Sequence, residues 1–145
     1  SPEAFKQLRD LIYKKSGMTL IEVLIAALIF SVALGVLLSS IGAIVDLLDI
    51  AQDSSQATGD LKSMMERIRA TPFDAITTRF TNGTTDGPVT NPYTAIVGGY
   101  NLRDEHLIVS YANPNTDPLE ILVMATWQDK KGRAFNTTMS TFRTR

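Results

Sequence analysis

The chain has no cysteine, so no disulfide can staple it and its stability has to come from packing. It has one histidine, His106, with no cysteine beside it. Asp104 and Glu105 next to it are common turn residues, which makes a metal or catalytic role a poor reading. The net charge is −1, which excludes the broad basic surface of a general nucleic-acid binder. No phosphate loop, nucleophile–base pair or paired-carboxylate site stands out, so nothing points to an enzyme or to a cofactor. The loop Asn113–Asp117 offers oxygen atoms, but turn chemistry accounts for its composition better than a cation site does. Two glycosylation-type triplets, Asn82-Gly83-Thr84 and Asn136-Thr137-Thr138, are of a kind frequent by chance.

One kind of residue is missing locally, and that absence says more. From Val23 to Val45 there are 23 consecutive residues without a charge. As a helix they span about 35 Å, enough to cross a bilayer. The run is too long for the apolar region of a cleaved secretory signal, and no small-residue cleavage pattern follows it. Charge is also uneven. Residues 1–17 carry a net +2 through Lys6, Arg9, Lys14 and Lys15 against Glu3 and Asp10, and residues 18–145 carry −3. A basic start before an apolar span places the N-terminus in the cytoplasm and the C-terminal part outside it. The chain opens on Ser1, which leaves the length of the leader open.

The helical pattern outlasts the apolar run. Leu47, Ala51, Ser54, Thr58, Leu61, Met65 and Ile68 recur at spacings of three and four. Asp46, Asp49, Asp53, Asp60, Lys62, Glu66 and Arg67 fill most of the rest. Pro72 makes a stop. The pattern predicts one helix over about residues 18–70, roughly 80 Å long at ~1.5 Å per residue. Gly35, Ser39 and Ala43 form a small-residue ridge on it that permits close helix contact. Residues 73–101 are rich in Thr, Asn and Gly and read as a long loop, with a short strand near Thr94–Val97. His106–Tyr111, Leu119–Gln128 and Arg133–Phe142 read as strands, the last two joined by a tight turn at Asp129–Gly132. The expected fold is α+β: a long N-terminal helix, membrane-spanning in its first half and amphipathic in its second, packed on a small antiparallel sheet of three or four strands.

The most informative stretch is Lys14–Ala26, KKSGMTLIEVLIA. Two lysines and a small-residue break lead straight into the apolar run, and Glu22 sits inside its start. A carboxylate there is costly in hydrocarbon and needs a partner. Thr19 and Glu22 also have the spacing of a capping box, which is favourable at a helix N-terminus.

This stretch resembles the processing and assembly signal of type IV pilins and type II secretion pseudopilins. The ending, ATWQDKKGRAFNTTMSTFRTR, is similar to the final hairpin of minor pilins and pseudopilins. The resemblance implies that a membrane peptidase cuts after Gly17 and methylates the amine of Met18, with Lys14 and Lys15 as basic leader residues. Glu22 matches the glutamate five residues past the cut, and Thr19, Leu20 and Ile21 complete the assembly segment. Cleavage would expose an α-amine with a reference pKa of about 8, mostly protonated at neutral pH. One chain's amine can then meet its neighbour's Glu22, because either charge alone in low dielectric would cost several kcal/mol.

The implied organisation is a cleaved leader at 1–17, a transmembrane and assembly segment at 18–46, an amphipathic helix at 47–72 and an exported domain at 73–145. The implied partners are other pilin or pseudopilin subunits, prepilin peptidase, an inner-membrane assembly platform and, before assembly, membrane lipid. The implied location is the bacterial inner membrane as a single-pass protein, then a pilus or a periplasmic pseudopilus. Two other readings share the anchor. One is a membrane-anchored binding domain that never polymerises. The other is a DNA-uptake pilin using Lys130, Lys131, Arg133, Arg143 and Arg145, against which the −3 charge of residues 18–145 weighs.

Overall fold

The computed structural model describes residues 2–12 and 18–145, so Lys14, Lys15 and Gly17 lie outside the described residues. They form two compact units, Ser1–Val45 and Asp46–Arg145. The first holds helix α1 (Pro2–Ile12), with Glu3 in its first turn and Arg9 in its last, charges that suit the helix dipole. It also holds the first part of α2 (Leu20–Arg69), a single helix that runs on into the second unit. Over the first part the large apolar side chains are exposed, Leu20, Ile21, Leu24, Leu28 and Phe30 among them. By length and composition α2 can cross a membrane.

In the second unit, α2 becomes a core element. Ala57, Leu61, Met64, Met65 and Ile68 are buried against the sheet. The helix ends where expected. Ala70 still donates to the Glu66 carbonyl, and Thr71 N–H and Oγ1 turn back to the carbonyls of Ile68 and Arg67 before Pro72.

The sheet is an antiparallel meander in the order β1 (Arg103–Tyr111), β2 (Leu119–Gln128), β3 (Ala134–Arg143). Period-two alternation sets its faces. Leu119, Ile121, Val123, Ala125 and Trp127 of β2 and Leu107, Val109 and Tyr111 of β1 point inward and are buried. Val109, Val123 and Met139 form one cross-strand row. The β2–β3 turn is built by Asp129. Its Oδ1 accepts the N–H of Lys131 (2.9 Å) and of Arg133 (2.8 Å), and Gly132 supplies a φ of 77°. The strand bounds shift slightly from the sequence expectation: β1 begins earlier, at Arg103, across an irregularity in register before His106, and β3 begins at Ala134.

Residues 73–101 contain more structure than their composition suggested. Phe73–Arg79 is helix α3 and Tyr93–Val97 is helix α4. The strand expected at Thr94–Val97 is therefore corrected to a helix. Its β-branched residues have strand propensity, but Pro92 fixes the entry and Gly98, at φ 84°, closes the end in the left-handed region. Tyr93, fully buried against Phe80, anchors that turn in the core.

The two sheet edges are treated differently. The outer edge of β1 is covered by residues 82–86. Gly83 and Asp86 donate to the carbonyls of Val109 (2.8 Å) and Leu107 (2.7 Å), Asn82 Oδ1 accepts from Tyr111 N–H, and Thr85 bridges Ile108. β3 is bonded only to β2 among the described strands, so its outer edge is open.

Candidate processing and assembly site

The N-terminus of α2 is closed by its own residues. Glu22 N–H donates to Thr19 Oγ1 (3.3 Å), and Glu22 Oε2 accepts Thr19 N–H (3.3 Å). This is the reciprocal capping box expected from the spacing. It leaves Glu22 exposed at the head of an exposed apolar helix surface that includes Leu20 and Ile21. A carboxylate at the mouth of such a surface meets an unfavourable environment wherever that surface is covered by lipid or protein. Met18 lies two residues before the helix and is also exposed. A Cβ at Gly35 or Gly42 would meet nothing within 4 Å, so that part of the surface is free for close approach.

Residues 12–38 match the prokaryotic N-terminal methylation motif. This is the signal motif of type IV pilins and pseudopilins, and it marks the chain as a pilin-like substrate of prepilin peptidase. The match takes in Gly17, Met18, Thr19 and Glu22 and about two thirds of the apolar segment. Chains of this kind are structural subunits. The motif and the apolar helix together are the marks of membrane anchoring. Neither the curated proteins nor the solved structures compared with the chain include a match to it.

The second unit carries three polar constellations. The first bears on the DNA-uptake reading. Lys130 Nζ donates to Asp49 Oδ2 (2.7 Å), Lys131 pairs with Asp46, Arg133 pairs with Asp129 (2.7 Å) and Arg145 with Asp74 (3.5 Å). Arg143 donates to the Thr71 carbonyl (3.3 Å). Four of the five basic candidates face a carboxylate, which cancels the positive field a polyanion would need. The two lysine pairs also fasten the hairpin turn to the first turn of α2 in this unit. Both pairs are exposed, so Lys130→Ala with Lys131→Ala should lower the melting temperature only slightly. The difference from the parent should close at about 1 M salt, measured by circular dichroism.

The second constellation is centred on Asp86, whose φ of 59° is one that aspartate tolerates. Oδ1 accepts from Tyr100 Oη (2.5 Å) and Leu107 N–H (3.0 Å), and Oδ2 from His106 Nδ1 (2.7 Å). Burial works to raise the Asp86 pKa, but the hydrogen bonds from Tyr100, His106 and Leu107 outweigh it and hold the carboxyl below its usual range. The same bond to Asp86, helped by Asp104 at 3.4 Å from Nε2, raises the His106 pKa. Sequence reasoning had His106 only beside its chain neighbours. Asp86 is twenty residues away, and nothing in the spacing signals the pairing. Among the described residues, no group of three or more His, Cys, Asp or Glu is placed to hold a metal ion.

The third was missed altogether. Asp60, read from the sequence as a solvent-facing position on α2, is 4% exposed, and Glu105 of β1 is 3% exposed. Glu105 Oε2 accepts the N–H groups of Asn101 (3.1 Å) and Leu102 (3.0 Å). Glu105 Oε1 and Asp60 Oδ2 are buried without a hydrogen-bond partner, and the Asp60 carboxyl adjoins Glu105 closely enough to raise its pKa. Burial, and then the adjoining Asp60 carboxyl, push the Glu105 pKa up to about 7.

Proposed function

We propose that this chain is a structural subunit, a minor pilin or pseudopilin, that is cut after Gly17, methylated at Met18 and assembled into a filament through Glu22. Lys14 and Lys15 hold the leader in the cytoplasm by their charge, and the C-terminal unit lies on the far side of the inner membrane. The observation that carries the reading is the placement of Glu22. It is one carboxylate at the head of an exposed apolar surface, four residues after the amine that cleavage would create. Within one chain those charges lie about 6 Å apart along the axis. Between chains offset along the axis, the same spacing lets one chain's amine meet its neighbour's carboxylate, which selects a register as well as joining the subunits. A major subunit is the weaker reading, because many major pilins close their C-terminal region with a disulfide and this chain has no cysteine.

The test is mass spectrometry of the protein from its native membrane, with and without prepilin peptidase. The expected product begins at a methylated Met18 and depends on the peptidase. An intact segment before Gly17 in peptidase-positive cells would instead favour an anchored binding domain that does not polymerise.

A further inference from the structure

Asp60 and Glu105 take no part in the assembly site, yet a buried pair of acids is costly to keep. Carboxylates can only accept hydrogen bonds, so two of them side by side out of water repel each other and leave oxygens unsatisfied. One proton between them changes this, because the protonated acid donates to the ionised one. Glu105 Oε2 is committed to the N–H groups of Asn101 and Leu102, which leaves Oε1 as the oxygen without a partner. Asp60 likewise keeps Oδ2 unpartnered. Among the described residues neither acid is in an ion pair, so no cation can serve in place of the proton.

From α2 the titratable group facing Glu105 is Asp60 itself. From the segment before β1 it is Tyr100, whose own pKa is raised by burial and by its bond to Asp86. Trp127 of β2 is also inward and buried, and its Nε1 has no partner. His106, the next residue of β1, is partly exposed and paired with Asp86 and Asp104.

We propose that Asp60 and Glu105 form a proton-sharing latch that holds the buried part of α2 against the start of β1, closed when the pair keeps one proton and loosened when it loses it. The direction follows from linkage. The folded pKa of Glu105, about 7, lies above its usual value of 4.5. Stability from the protonated pair is therefore fully present below about 4.5 and lost as pH rises through 7. On the proposed orientation this unit meets the pH outside the cytoplasm, so the grip of helix on sheet reads that medium. This inference does not depend on filament assembly.

The experiment uses the full chain in detergent micelles and amide hydrogen exchange by mass spectrometry at about pH 5.5 and 8.5, corrected for intrinsic exchange rates. Peptides covering residues 57–68 and 101–107 are expected to open at least tenfold more readily at the higher pH, relative to peptides of the β2–β3 hairpin; one pKa unit corresponds to tenfold. Glu105→Gln and Asp60→Asn should each remove that pH response. Because the shift at His106 acts in the same direction, His106→Gln is the control and should retain it. An unchanged response in Glu105→Gln, a response lost in His106→Gln, or no response in the parent chain would overturn the latch. Infrared difference spectroscopy of the parent chain gives an independent reading should the acid variants fail to fold. A protonated-carboxyl band present at pH 5.5 and gone by 8.5 is expected, and its absence at both refutes the shared proton.

Discussion

A Glu22→Gln chain is expected to enter the membrane normally and to fail to enter filaments. Glutamine has almost the shape of glutamate and still completes a capping box with Thr19, so the helix start is preserved. What disappears is the charge that would meet the neighbour's amine. Breaking one partner of a buried ion pair costs about 3–5 kcal/mol, because the other charge is left uncompensated. At about 1.4 kcal/mol per decade this lowers incorporation by about two to three and a half orders of magnitude. The measurement is the fraction of tagged chain in sheared or pulled-down filaments, with membrane fractionation as the internal reference. Thr19→Ala provides the contrast: it removes a capping hydroxyl, typically worth about 1 kcal/mol, and leaves the charge in place. Normal incorporation of Glu22→Gln alongside impaired Thr19→Ala would mean that Glu22 is a cap and nothing more.

Replacement of Gly87 should strongly destabilise the second unit. Gly87 has a φ of 76°, and a Cβ there would lie 2.6 Å from Cδ1 and Cε1 of Tyr93 and 2.7 Å from the Asn91 carbonyl oxygen. Neither neighbour can retreat. Tyr93 is fully buried against Phe80, and Asn91 is held by its side-chain bond to the Arg79 carbonyl (2.9 Å). Left-handed backbone costs a side-chain-bearing residue about 1–2 kcal/mol, and forcing atoms into a packed site about 1–3 kcal/mol more. Gly87→Ala should therefore lose about 2–5 kcal/mol and Gly87→Val more. For a unit of this size that lowers the melting temperature by about 10 °C or more, read by circular dichroism. Gly83, also at positive φ but with nothing within 4 Å of its Cβ position, should lose far less on the same substitution.

The long helix, its stop and the strands were legible because each rests on a pattern within one segment. The apolar run, the three-and-four stripe and Pro72 define α2, and alternation defines β2. The capping box was legible for the same reason, since Thr19 and Glu22 are three residues apart. What could not be read depends on segments far apart in the chain. Asp60 looks like any other acid on a polar helix face until β1 brings Glu105 over it. His106 acquires its meaning from Asp86, and Tyr93–Val97 is a helix because Pro92, Gly98 and a pocket for Tyr93 outweigh local propensity. The stripe itself was only partly a core signal: Leu47 stays exposed, and burial begins at Ala57.

The meander has a kinetic meaning as well. Each strand pairs with the one just before it, and the helix that covers them precedes all three. A chain made from its N-terminus can thus assemble this unit in the order in which it appears, with no segment threaded in late and few long loops to close. The step left to the end is the addition of β3, which turns β2 from an edge into the centre of the sheet. Until Ala134–Arg143 arrive, the longest run of inward apolar residues in the sheet borders an unpaired backbone, the moment at which the growing chain is most open to aggregation.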